Sequence, residues 1–179
     1  MREALSARDN WQQEAADRGD EPEAIVYHIF ERYFRDSPYE ITRRPKDLKG
    51  IYGNDRGIQP DHSIKNLRTE RTVFLEVKRQ RARGNAHERA CKYFTPGIVH
   101  AGRQAGNLGD DVFPFWLIFT NGIATDERYV REISFWFGEQ RKDALTLWRD
   151  LAEKEPLITH FERYIVPKLG GAKRASSAP

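Results

Sequence analysis

Three side chains in this sequence are of the types that hydrolyse phosphodiesters. They are Asp61, preceded by Pro60, and the outer members of the triplet Glu76-Val77-Lys78. A hairpin folded about Arg68-Thr69, the middle of the polar segment Leu67–Arg71, sets Asp61 opposite Glu76. Facing strand positions lie about 5 Å apart at Cβ, and like charges there repel. A divalent cation between them removes that penalty. Hard oxygen ligands without His or Cys suit Mg²⁺, which keeps several waters and takes its other contacts from phosphate. Lys78 would then hold a phosphate oxygen or the attacking water, and the set fits metal-assisted phosphodiester hydrolysis. A plainer reading stands beside this one, because Glu-x-Lys in so charged a chain is often a solvated strand face and Pro-Asp an ordinary turn dipeptide. His87 and Cys91, four apart on a helix, share a face suited to zinc but have no further ligand close by, and His62 reads as an ordinary polar contact.

Positioning these groups needs a sheet. Strand alternation puts Val73, Leu75 and Val77 on a core face and Glu76 and Lys78 on the other, with Asp61. The two strands are predicted over 58–66 and 72–79. Ile25, Val26, Ile29, Phe30 and Tyr33 repeat with helical period, which predicts a helix over 22–36; a shorter one is expected over 3–17. Asn85 opens a further helix, and Pro96 breaks or restarts it behind a Thr95 cap. The apolar run over 112–120 reads as a buried strand. After Thr125-Asp126, the residues Tyr129, Val130, Ile133, Trp136 and Phe137 predict another helix, and a last one is expected over 156–168. The expected architecture is one α/β domain over 1–169, a mixed central β-sheet flanked by helices, with a disordered tail over 170–179.

Composition narrows the class. Hydrophobic residues make up 39% and charged residues 32% of 179, and mean hydropathy is −0.77. No run approaches the roughly 18 apolar residues of a spanning helix. The N-terminal segment is charged throughout and lacks the apolar middle of a secretory signal, and Cys91 is alone, so a cytoplasmic location is expected. Net charge is only +3, yet Lys65 to Lys92 carries nine Lys and Arg against three acids. One basic block on an otherwise slightly acidic chain suggests a phosphate-facing surface.

Shortly after Lys78 comes Arg83-Gly84-Asn85-Ala86-His87-Glu88-Arg89. A capping box accounts for Asn85 and Glu88 but leaves Arg83 and Arg89 unexplained. A helix tip entering a DNA groove accounts for all of them, since Asn pairs well with adenine and Arg with guanine or phosphate.

Taken in order, Pro60-Asp61, Glu76-Val77-Lys78 and Gly84-Asn85-Ala86-His87-Glu88-Arg89 resemble the type II restriction endonucleases of the PD-(D/E)XK superfamily, in the EcoRI/MunI branch and toward its MunI/MfeI end. Further likeness lies in Arg44–Lys49, Cys91–Gly97, Pro114–Trp116 and Val130–Trp136, so that it runs from about residue 5 to residue 169. The resemblance implies that Asp61, Glu76 and the Val77 carbonyl hold Mg²⁺ and that Lys78 orients the attacking water. It implies a homodimer on double-stranded DNA, cutting each strand of a palindrome once, and a DNA methyltransferase as genetic partner. Gly84, Asn85, Ala86, Glu88 and Arg89 would read a central AATT, with Arg83 on the outer pair and CAATTG the preferred site. The link from Lys78 to Gly84 and the stretch between the 22–36 helix and Pro60 are shorter than in that branch. Two other functions are weighed: a structure-specific repair or recombination nuclease of the same superfamily, and a DNA-binding protein that does not cut.

Overall fold

Ile25, Val26, Ile29 and Phe30 are buried along one side of helix α1 (Pro22–Tyr33), and Pro22 supplies a first turn that needs no amide donor. The computed structural model describes residues 21–80, 85–138 and 142–171. The helix expected over 3–17, Arg83 and Gly84, and the chain beyond 171 lie outside the described residues. The predicted 22–36 helix stops at Tyr33, three residues early.

Among the described residues five strands form one sheet in chain order: β1 (Tyr39–Arg43), β2 (His62–Asn66), β3 (Arg71–Gln80), β4 (Phe115–Asn121) and β5 (Leu145–Trp148). Strands β1, β2 and β3 are antiparallel neighbours, whereas β3–β4 and β4–β5 are parallel. The sheet is mixed and flanked by helices, as expected. His62 faces Leu75 and Ser63 faces Phe74. Carried back one residue, this register sets Asp61 level with Glu76. The expected strand over 58–66 is shorter at its start, because Pro60 has no amide for a ladder and the chain enters the sheet only at His62. The run over 112–120 likewise becomes strand only after Pro114. Strands β1 and β5 had no counterpart in the sequence reading.

Both faces of the sheet are covered. Val73, Leu75, Val77, Trp116 and Ile118 pack under α1 and the C-terminal helix. That helix runs from α6 (Glu155–His160) through a π-helical turn (Phe161–Ile165) into a last turn (Val166–Lys168). Phe74, Phe115, Leu117 and Phe119 point the other way, into a second core. It is closed by α2 (Ala86–Ala90) with its 3₁₀ extension (Cys91–Phe94), by α3 (Pro96–Ala105), and by α5 (Glu127–Phe137), which follows the short α4 (Gly122–Thr125). Glu76 therefore stands on a buried face and not on a solvated one. The plainer reading of the triplet fails at this point.

Asp126 caps α5 by accepting from the Arg128 amide at 2.9 Å. Asn85 occupies the corresponding position before α2 but makes no capping bond with its side chain, so the expected box is not formed. The described part of the basic block is spread along the sheet. Lys65 and Arg68 belong to the β2–β3 turn end, and the ten residues of β3 carry the chain roughly 30 Å before Arg79 and Gln80.

Candidate active site

Asp61 sits one residue before β2, and its Oδ2 accepts the Val77 amide at 2.7 Å. Its backbone carbonyl accepts the Arg44 amide at 2.8 Å. The acid is thus tied from both sides, to the middle of β3 and to the end of β1. Arg44 takes a left-handed φ of +47°, a conformation that costs a non-glycine residue about 1–3 kcal/mol and that surrounding structure must impose. Glu76 is 7% exposed; its Oε1 accepts from Lys78 Nζ, and its Oε2 is buried with no partner among the described residues.

Burial first, and the neighbouring Glu76 carboxylate second, push the Asp61 carboxyl up to about 7; the Val77 amide and Lys78 act against them. The Tyr93 phenol, fully buried beside this pair, is pushed far up by burial and then by the Glu76 charge. Asp61 and Tyr93 are both raised because each is buried beside the Glu76 charge. Among the described residues no three of His, Cys, Asp and Glu gather to hold a metal. A cation seated here would take two carboxylates, with the rest of its shell from backbone carbonyl, water and ligand oxygens. The orphaned Glu76 Oε2 and the reluctant Asp61 fit a divalent cation of that kind.

His62 follows Asp61 and is buried; burial drops it to about 4, so its ring is neutral near pH 7. Its Nε2 meets the Glu23 carbonyl at 2.8 Å, the polar contact expected of it, and this pins the first turn of α1 beside the site. A cleft of about 250 Å³ opens there, lined by Glu21, Glu23, Ala24, Arg43, Arg44, Asp61 and His62. Asp61, Glu76, Val77 and Lys78 come together as the sequence suggested. Glu23, Arg43, Arg44 and Tyr93 were missed, since each arrives from a distant element and no spacing in the chain connects it to Asp61.

Across Gln80, the described part of the Gly-Asn-Ala segment resumes at Asn85. Asn85, Glu88 and Arg89 are exposed, Ala86 is half-buried, and His87 and Ala90 are buried. His87 does not share a ligand face with Cys91. Its Nε2 bonds Glu132 Oε2 at 2.7 Å, while Cys91 Sγ lies 4.0 Å from the His87 carbonyl.

A crystal structure of MunI restriction endonuclease in complex with cognate DNA matches this fold with a TM-score of 0.75 at 31% identity, over 89% of this chain and 97% of that one. Mixed sheet and site together define a restriction endonuclease. The type II restriction enzyme MunI of a Mycoplasma species is 34% identical over 189 residues, covering 88% of this chain and 93% of that enzyme. The family model for type II restriction enzyme MunI matches residues 1–56 and 54–170, and the chain belongs to that family. The activity is therefore site-specific hydrolysis of DNA phosphodiesters, a class that works with a divalent metal. Among the described residues no helix is long and apolar enough to cross a membrane.

Proposed function

We propose that this chain cuts both strands of a palindromic, AATT-centred hexamer, CAATTG, as a homodimer with Mg²⁺ held by Asp61, Glu76 and the Val77 carbonyl. The observation that carries the catalytic part is the buried Asp61–Glu76 pair with Lys78 bonded to Glu76 and one Glu76 oxygen without a partner among the described residues. When bound, Mg²⁺ supplies positive charge for the phosphate oxygens and favours ionised water. The protein does the rest. The Val77 amide fixes the Asp61 carboxylate, and Glu76 holds the Lys78 ammonium beside the pair. Lys78 orients the attacking water toward phosphorus, and its positive charge offsets that gathering on the phosphate in the transition state.

Reading falls to the segment that leaves β3: Arg83, Gly84, Asn85, Ala86, Glu88 and Arg89. The exposed Asn85, Glu88 and Arg89 form one polar edge at α2 within a short stretch of chain from Lys78, so the residues proposed to read and those proposed to cut are close in sequence. The Asn85 side chain makes no capping bond, which suits its amide to a base edge. Two-fold symmetry of the DNA requires a second copy for the second strand. A cognate methyltransferase and a cytoplasmic setting complete this reading.

The test is a plasmid bearing one CAATTG, incubated with Mg²⁺, beside plasmids altered at one base of the site and beside fork and junction substrates. Linearisation of the first alone supports the proposal. Cutting at structure without regard to sequence would assign a repair nuclease. Binding without cutting in several divalent metals would assign a silent DNA-binding protein.

A further inference from the structure

Helix α2 is a single turn, and five residues cannot hold a helix by their own backbone bonds. Its orientation comes from the 3₁₀ turn that continues it to Phe94 and from what its inner side touches. That side presents two residues, Ala90 and His87, both buried. Ala90 has only a methyl to offer, and it fixes distance better than direction. His87 has three directional contacts, all with α5. Its Nε2 bonds Glu132 Oε2 at 2.7 Å. Its ring lies flat on Trp136, with centroids 5.0 Å apart and 2° between planes, and meets the edge of Tyr129 at 4.8 Å. Glu132 is itself held from behind by Arg128 Nε at 3.0 Å, and that bond, with His87 adding to it, keeps its carboxyl below the ordinary range. A carboxylate only accepts, so the ring donates from Nε2, and Nδ1 is a buried atom with no partner among the described residues.

We infer that His87 is the positioning residue of DNA recognition: through Glu132 and Trp136 it clamps the one-turn helix to α5 and so sets the direction of Asn85, Glu88 and Arg89. This rests on the proposal that those three side chains read bases. It assigns work to Tyr129, Glu132 and Trp136 of α5. It also accounts for Trp136, which stays 41% exposed because one face of its indole covers the histidine. His87 itself does not meet DNA. Its part is to remove the rotational freedom that would let a reading edge accept a neighbouring base.

The experiment measures cleavage rates at CAATTG and at each single-base variant of it, and reports their ratio for wild type, His87→Ala, His87→Gln, Glu132→Ala and Arg89→Ala. His87→Ala is expected to lower the ratio by about 10- to 100-fold, the size of penalty that misplaced groups carry. Glu132→Ala is expected to do the same in part. Glu132 is partly exposed, so that variant folds even where His87→Ala does not. Gln places its Nε2 about where the histidine Nε2 stands, and His87→Gln is expected to restore most of the discrimination. A variant carrying both His87→Ala and Glu132→Ala is expected to be no worse than His87→Ala, since both changes break the one contact between them. Equal slowing at every site, with the ratio unchanged in His87→Ala and Glu132→Ala, would overturn the inference and leave His87 a packing residue. Arg89→Ala separates the two ideas. A ratio altered there but not by His87→Ala sinks the clamp alone, and a ratio altered by neither sinks the reading segment with it.

Discussion

The Val77 amide donates to the Asp61 carboxylate at 2.7 Å, so a main-chain group of β3 orients an acid that stands just outside β2. The same stretch of β3 carries Glu76 and Lys78 on its other face. One strand therefore aims all three groups of the site, and its pairing register with β2 fixes their spacing.

Asp61 makes the metal-free protein pH-sensitive. Its carboxyl rises from 3.8 to about 7 on folding, chiefly through burial and then through Glu76. The native state keeps a proton that the unfolded chain releases near pH 4, so this stabilisation is complete below pH 4 and is lost as pH rises toward 7. Asp61→Asn keeps an acceptor for Val77 and has no charge to bury. Without metal at pH 8 it is expected to melt above wild type, by on the order of 1–3 kcal/mol of stability, with the difference vanishing near pH 4. Millimolar Mg²⁺ is expected to raise the melting temperature of wild type and not that of the variant. Thermal unfolding in chelator and in Mg²⁺ at several pH values checks all three.

Lys78 is expected to matter to the rate more than to binding. Lys78→Ala should lower cleavage at the cognate site by about 10³-fold or more, the size seen when a group that stabilises transition-state charge is removed. Retention of the same DNA in a gel should change little. Gel retardation without Mg²⁺, set beside single-turnover cleavage with it, separates the two effects.

Asn85 distinguishes reading from capping. A lost N-cap costs about 0.5–2 kcal/mol of stability. Since the Asn85 side chain makes no such bond, Asn85→Ala is expected to leave the melting temperature unchanged and to weaken cognate binding by about 1–3 kcal/mol. Calorimetric melting and a binding isotherm on CAATTG decide between the two roles.

Gly106 ends α3 with an ordinary φ of −87°, so its need for glycine is one of space. A Cβ there would lie 2.4 Å from the Thr72 carbonyl, while the Thr72 amide donates to the Gly106 carbonyl at 2.8 Å. Gly106→Ala must push α3 off the start of β3 and is expected to cost about 1–3 kcal/mol. Chemical denaturation measures that loss.

Much of the site was legible because a tight polar turn and strand alternation fix register locally. Leu67–Arg71 placed Asp61 across from Glu76 with no tertiary information. The burial of Glu76 was not legible, since it depends on α2 and its 3₁₀ extension, with Tyr93, folding back over β3. Strand β1 buries only Ile41 on a sheet edge, and β5 has four residues, so neither carries a periodic signal. Arg44 reaches Asp61 through an unusual backbone angle that no residue type announces. Asn85 looked like a cap because its residue type allows one, and only the geometry shows that its side chain makes no capping bond.

Sequencing the ends of a genomic digest tests the metal-dependent pair of acids and the reading segment at once. In Mg²⁺, breaks are expected in both strands at one AATT-centred palindrome, absent in chelator and absent with Asp61→Ala. Ends scattered without a shared sequence, or site-specific ends that persist with Asp61→Ala, would contradict the proposal.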